Sequence, residues 1–300
     1  MGETTCGTCN KPDCSARQPR ADESLEDFLD RQALAERMCR IKKKIVVLSG
    51  KGGVGKSTVA VNLAVALSLV GRNVGLLDVD IHGPSIPGML RIQNARVQTE
   101  NGCMFPVEIG SLKVMSIGFL LADADQAVIW RGPMKMGVIK QFLKDVEWGE
   151  LDYLIVDCPP GTGDEPLSVI QLIENADGAV VVTTPQEVAL LDVRKAITFC
   201  RQVRLPVLGV IENMSGFVCP QCGGIADIFK KGGGEEMAAA MNVSFLGRVP
   251  ITRTIVESGD AGRPCVYHYA KDPAAEALQR IAEALRDMLE RTGQTQVKSP

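Results

Sequence analysis

Gly50, Lys51, Gly52, Gly53, Val54, Gly55, Lys56, Ser57 and Thr58 fill the pattern G-x-x-x-x-G-K-[ST], which curls backbone N–H groups around a phosphate. In that chemistry Lys56 neutralises β- and γ-phosphate oxygens and the Ser57 hydroxyl holds Mg²⁺. Acidic residues follow at strand-like positions. Asp78 and Asp80 stand two residues apart at the end of an apolar run, so both leave a strand on one side. Asp157 ends a second run, Leu154-Ile155-Val156, and opens Cys158-Pro159-Pro160-Gly161-Thr162-Gly163-Asp164, an acid placed to hold a water on Mg²⁺. Cys158 itself reads as a small buried residue.

A different chemistry is written in Cys219-Pro220-Gln221-Cys222-Gly223-Gly224. C-x-x-C followed by glycines is a tight turn that aims two thiolates at one metal. One pair is half of a four-coordinate site. Cys265-Val266-Tyr267-His268 offers a C-x-x-H unit, so a Cys₃His zinc site within one chain is one completion, and a redox disulfide is another reading. Cys6, Cys9 and Cys14 form a further candidate site in a polar, aperiodic segment, with Cys39 as a candidate fourth ligand.

The elements that must position these groups alternate along the chain. Strands are expected at 45–49, 73–79, 113–117, 153–157, 179–184, 206–212 and 244–249. Helices are expected at 56–70 (closed by Gly71), 134–145, 165–175, 186–203, 235–241 and 273–291. This predicts an α/β fold, a doubly wound and mostly parallel sheet with helices on both faces, whose ligands gather at the carboxyl ends of the strands. Residues 1–43 read as a cysteine-containing extension plus a helix from Ser24, 44–291 as the main domain, and 292–300 as a polar tail. Leu278, Ile281, Ala282, Leu285 and Leu289 make a core-facing helical stripe, and Lys42-Lys43-Lys44 reads as a short solvated run before the first strand.

With 300 residues and 45% apolar content the chain can bury a large core. A formal charge of −3 and a pI near 5.6 give no electrostatic basis for nucleic-acid binding. No apolar run is long enough to cross a bilayer and no secretion signal is evident, so the expected setting is cytoplasmic, without membrane or nucleic-acid partners. There ten cysteines are thiols or metal ligands rather than disulfides.

The second lysine of the loop, Lys51, makes it G-K-G-G-x-G-K-S-T. This resembles the deviant Walker A loop of the MinD/ParA/Mrp/NifH group, in which the extra lysine reaches across a dimer interface to the partner's nucleotide. From about residue 44 to 290 the chain resembles Mrp/ApbC-type iron–sulfur cluster carrier ATPases, with DVDIHGPS, DCPPGTGD and NMSG-x2-CPQC in family order; Arg131-Gly132-Pro133 is familiar there too. The resemblance implies a homodimer that binds ATP and Mg²⁺, hydrolyses ATP slowly, carries a labile [4Fe–4S] cluster on Cys219 and Cys222 of both copies, and passes it to apo iron–sulfur proteins. It makes Asp80 the water-positioning carboxylate of switch I, with Asp78 nearer Mg²⁺. It gives Lys51 and Lys56 the stabilisation of phosphate charge, and makes Asn213 the adenine reader, with Arg248-Val249-Pro250 lining the same pocket. Eukaryotic scaffold relatives also carry an N-terminal cysteine cluster, though spaced differently. A MinD/ParA-like positioning ATPase is the alternative of another class, which the polar tail and absent basic surface disfavour. A nitrogenase-reductase-like electron donor is disfavoured because there the ligand cysteines lie far apart in the chain.

Overall fold

The computed structural model describes residues 18–295, apart from 22, 82, 121–131 and 174. A nine-stranded sheet forms its centre, in the order β10-β9-β8-β1-β7-β2-β6-β5, with β11 also paired to β9. These strands are β1 (Ile41–Ser49), β2 (Val74–Asp78), β5 (Val107–Ile109), β6 (Leu112–Ser116), β7 (Leu151–Asp157), β8 (Gly178–Thr183), β9 (Val207–Val218), β10 (Ile225–Ala226) and β11 (Phe245–Ile251). A small hairpin, β3 (Gln98–Glu100) with β4 (Cys103–Phe105), stands apart. The helices are α1 (Leu25–Cys39), α2 (Lys56–Leu69), α3 (Ile86–Met89), α4 (Gly132–Lys144), α5 (Asp164–Leu172), α6 (Glu187–Gln202), α7 (Gly233–Ala240), α8 (Arg253–Asp260), α9 (Cys265–His268) and α10 (Pro273–Thr295).

All pairings among β11, β9, β8, β1, β7, β2 and β6 are parallel, and only the edge strands β5 and β10 run antiparallel. Ile45, Val46, Val47 and Leu48 are at most 1% exposed, which is why β1 reads as an unbroken apolar run rather than an alternation. The register matters for function. Asp78 sits opposite Asp157, and Asp157 opposite Val47, so three strand ends deliver their next residues to one place.

All seven expected strands are present, as are the helix expected from Ser24 and the six others, most of them with shifted ends. β1 starts at Ile41 rather than 45, because its pairing with β7 begins at Ile41 opposite Leu151. The Lys42-Lys43-Lys44 run is therefore in the sheet and not simply solvated. Lys42 bonds Asp152 at 2.8 Å, Lys43 bonds Asp177 at 3.0 Å, and buried Lys44 donates to the Met38 carbonyl. β9 runs six residues past its expected end, because a hairpin with β10 extends it. The short elements α3, α8, α9, β3, β4, β5 and β10 carry too few residues to show a period. For α8 the usable signal is Thr252, whose hydroxyl caps the Ile255 N–H at 3.1 Å.

Ser24 caps α1 by accepting from Asp27 N–H, as expected. That helix docks on α4 through Asp30, bonded to Lys144 at 2.7 Å and to Lys140 at 2.6 Å. The α10 stripe from Leu278 to Leu289 is buried at 3% exposure or less, and the helix runs to Thr295, so the expected polar tail begins as helix. Among the described residues no helix is long and apolar enough to cross a membrane.

Candidate functional site: a phosphate cradle and a cysteine hairpin

The glycine loop joins β1 to α2 at the carboxyl edge of the sheet. Gly53 and Gly55 both take φ of 78°, a left-handed conformation that costs glycine nothing. Gly55 is the N-cap of α2 and no side chain caps that helix, so its first N–H groups and positive dipole end face the loop's hollow. A Cβ on Gly50 would lie 2.4 Å from the Asp192 carbonyl of α6, and one on Gly55 2.2 Å from Asn213 Nδ2. Gly50 is thus required by the α6 backbone beside it, and Gly55 by its own backbone conformation and by Asn213.

Lys56 is 6% exposed and donates to Asp157 Oδ1 at 2.6 Å, with Asp80 Oδ2 at 3.5 Å. Ser57 Oγ donates to Asp157 Oδ2 at 2.5 Å. Burial disfavours the Lys56 charge, but the facing Asp157 carboxylate outweighs it and holds Lys56 above its ordinary pKa. Burial pushes Asp157 up, against the pull of Lys56 and Ser57. Fully buried Asp78 accepts from Ser116 Oγ at 2.9 Å and from Asp80 N–H at 3.2 Å; burial and then the Asp157 charge raise its carboxyl to about 8. The Ser57 hydroxyl and the Asp157 carboxylate thus lie side by side at the start of α2, oxygen donors of the kind a hard divalent cation takes. The expected residues Lys56, Ser57, Asp78, Asp80 and Asp157 are thus brought together.

Lys51 is half-buried, and its ammonium has no hydrogen bond or ion pair among the described residues; only its carbonyl is engaged, by Ser49 Oγ. Gly52 and Gly53 are exposed, while Val54 is buried and its carbonyl accepts from Asn213 Nδ2 at 2.9 Å. Thr58 and Asn213 line a cavity of about 720 Å³ with Gly55, Met214, Pro250 and Ile251. That volume suits a nucleotide. Of Arg248-Val249-Pro250 only Pro250 lines it: Val249 is fully buried, and Arg248 turns to Glu235 and Glu212. The segment after Asp157 reaches back to the first strand, with Gly161 N–H bonded to the Ser49 carbonyl at 2.8 Å. Cys158 is fully buried, which pushes its thiol far up and leaves it a packing residue.

The cysteine pair sits at the tip of the β9–β10 hairpin. Cys219 N–H bonds the Gly224 carbonyl and Gly223 N–H bonds the Cys219 carbonyl, both at 2.9 Å, closing a turn with Gly223 at φ 70°. Cys219 is half-buried and Cys222 exposed. Backbone N–H groups of Cys222 and Gln221 aim at the Cys219 sulfur, lowering its pKa and favouring the thiolate a metal requires.

The single-chain zinc completion is not what the fold builds. Cys265 is buried and donates its thiol to Asn62 Oδ1 at 3.2 Å, while His268 packs edge-on to Tyr267. Burial raises the Cys265 thiol to about 12. No group of three metal-ligating side chains forms among the described residues. Cys39 stands exposed at the end of α1, whereas Cys6, Cys9 and Cys14 lie outside the described residues, as do His82 and Arg131. Two residues are not singled out by sequence: Ser116, which bonds Asp78, and Glu212, a fully buried carboxylate directly before Asn213. The available signal for Glu212 is an acid closing the apolar run Val207-Leu208-Gly209-Val210-Ile211.

Comparison with known proteins agrees with this geometry. The chain is 52% identical over 258 residues to an iron–sulfur cluster carrier protein of Methanocaldococcus jannaschii, covering 86% of this chain and 88% of that protein. It is 42% identical over 292 residues to a protein of the same description from Methanococcus maripaludis, covering 97% and 100%. In structure it is similar to a nucleotide-binding protein of Archaeoglobus fulgidus in complex with ADP, at TM-score 0.70 and 42% identity, over 78% of this chain and 92% of that one. MinD of Aquifex aeolicus, at TM-score 0.61 and 22% identity, shares the fold over 82% of this chain and 97% of its own. A family model described as ParA, NUBPL iron-transfer P-loop NTPase, matches residues 40–286. The chain belongs to this family of iron-transfer P-loop NTPases.

Proposed function

We propose that this chain is an ATP-dependent iron–sulfur cluster carrier that works as a cytoplasmic homodimer. The observation that carries the reading is β9. One strand places Asn213 against the nucleotide cavity and, six residues on, presents Cys219 at an exposed turn with only half of a ligand set. A second copy supplies the other half, so that Cys219 and Cys222 of both protomers hold one [4Fe–4S] cluster as cargo for apo iron–sulfur proteins. Exposed apolar side chains, Val188 and Leu191 of α6 with Ile225 on the return strand of the hairpin and Ile228 just after it, support a face that another copy covers. Glu187 ties the two segments together through Lys230 at 2.8 Å.

ATP enters with its phosphates against the α2 N-terminus and its base beside Asn213, which keeps one amide hydrogen on Val54 and offers the rest of its amide to the purine. Lys56 then exchanges part of its Asp157 contact for phosphate oxygens. Ser57, Asp157 and Asp78 are the residues that would hold Mg²⁺, which neutralises phosphate charge when bound. Asp80 orients the attacking water, and Lys51, left without a partner ion pair among the described residues, stabilises the phosphates of the partner's nucleotide. Cys6, Cys9 and Cys14, with Cys39, are assigned to a second metal site, and residues 1–43 and 292–300 to appendages of the 44–291 ATPase body.

Anaerobic purification with visible absorption, iron and zinc analysis and light scattering tests this. The expected result is one cluster per dimer, transferable to an apo-acceptor and accompanied by slow ATP hydrolysis. A zinc-only protein with no reconstitutable iron would sink the reading, as would a cluster that no acceptor can take.

A further inference from the structure

The cysteine-bearing loop leaves the sheet and returns to it at one buried carboxylate. Residues 213–231 run from the middle of β9 to the start of α7, and Glu212, 0% exposed, touches both arms. On the outgoing arm, Ser215 Oγ donates to Glu212 Oε1 at 2.5 Å. On the returning arm, Gly232 N–H donates to Oε1 at 3.0 Å and Gly234 N–H to Oε2 at 2.5 Å. Arg248 Nε lies 3.5 Å from Oε1, an ion pair without hydrogen-bond geometry. No side chain of α7 caps its own N-terminus, so Glu212 performs that role from across the fold.

The run Gly232-Gly233-Gly234 follows from this docking. Gly232 has φ of 92°. A Cβ on Gly233 would lie 2.7 Å from the Pro185 carbonyl, and one on Gly234 2.9 Å from Glu212 Oε2. Away from this base, the outgoing arm pairs with β11 as far as Phe217, and the rest of the loop is held by the short β9–β10 ladder, the turn bonds around Cys219 and the exposed Lys230–Glu187 pair. Surface pairs of that kind contribute little, whereas a buried carboxylate with several N–H and O–H donors is strong and costly to disturb. Its chain neighbour Asn213 meanwhile bonds the phosphate loop.

We propose that Glu212 is the positioning residue of the cluster loop: it clamps both arms of the Cys219–Cys222 excursion and sets how firmly the cluster is held. The inference rests on the carrier reading for its cargo but not for its mechanics.

The test uses two variants that attack one contact from opposite sides. Glu212→Gln turns an acceptor into an amide N–H facing Gly234 or Gly232 N–H. Gly234→Ala brings a methyl group against Oε2 at a position whose backbone φ an alanine can adopt. In each, the half-life of the reconstituted cluster under an iron chelator, amide exchange over 215–231, ADP affinity and melting temperature are measured in the full chain. The expected result is about tenfold faster cluster loss and faster exchange in the loop, with ADP affinity unchanged. Helix propensity alone favours alanine over glycine, so a role confined to α7 gives slower, not faster, exchange in Gly234→Ala. Wild-type cluster half-lives in both variants overturn the proposal. So does a loss that merely tracks a collapse of ADP affinity and melting temperature. If the wild type holds no cluster, the carrier reading fails separately, and loop exchange still decides whether Glu212 is the clamp.

Discussion

The phosphate loop and the cysteine hairpin are built in opposite ways. Around the loop, residues a hundred or more positions apart in the chain brace one another: Lys56 and Ser57 both end on Asp157, and Val54 ends on Asn213. The hairpin has a two-residue return strand, an exposed Cys222 and bonds that run mainly to its own backbone. A site that must grip a polyanion in every cycle benefits from preorganisation within one chain. A site that must hand over its contents benefits from low local stability and from ligands supplied by two chains. On the proposed function, the contrast explains why the phosphate loop is braced within one copy while the hairpin offers two cysteines at an exposed turn.

The sharpest way to separate them is to remove the thiols. Cys219→Ala/Cys222→Ala is expected to lose all reconstituted iron at this site while ADP affinity stays at the wild-type value. Its stability should change by no more than about 0.5 kcal/mol, as for other exposed positions. Iron analysis beside calorimetric titration with ADP checks this, and a joint fall in both would mean that the two regions are one structure.

Lys56→Ala strikes the braced region instead. It leaves Asp157, 0% exposed, beside Asp78 with no cation, and such broken buried pairs cost about 3–5 kcal/mol. Denaturant unfolding should show that loss, with ADP binding abolished. A variant as stable as the wild type would show that the acids shed their charge at no cost.

How much of this division is legible in the sequence depends on where the partners lie. The cradle can be read residue by residue, because a phosphate loop is a local backbone pattern and a strand-ending acid is visible as charge after an apolar run. β1 is placed but begun too late, since the lysines at 42 and 43 find their acids, Asp152 and Asp177, more than a hundred residues away. Cys265 resembles a ligand because C-x-x-H is a local pattern, whereas its burial against Asn62 is a long-range fact. Glu212 escapes sequence reasoning for the same reason. The Gly232 and Gly234 N–H groups that dock on it come from the far side of a loop that sequence spacing does not close.

Lys51→Ala probes a group of the cradle that is not braced. Its ammonium has no partner among the described residues, so stability should be unchanged within about 0.5 kcal/mol. ADP affinity of the monomer should likewise hold. ATP hydrolysis at dimer-forming concentrations should fall by about 100-fold or more, the usual loss of one preorganised charge donor. If hydrolysis survives while Lys56→Ala abolishes it, Lys51 belongs to the finished half of the molecule and the composite site is wrong.

The gentlest probe is alkylation of the native protein followed by peptide mapping. Buried Cys200 and Cys265, with thiols pushed up to about 12, should stay unmodified until unfolding. Cys219, whose thiolate is favoured by two backbone N–H groups, should react with a pH midpoint below that of an ordinary thiol, since a lowered pKa means more thiolate at any given pH. The gain in rate is modest, because a less basic thiolate is also a weaker nucleophile. Nucleotide then tests whether the regions communicate. ADP bound to the monomer fills a preorganised cradle and should leave the Cys219 rate unchanged, whereas ATP at concentrations that assemble two copies should protect it. Protection by ADP in the monomer would mean that β9 transmits the signal within one chain, and the division between a finished and a halved site would then dissolve.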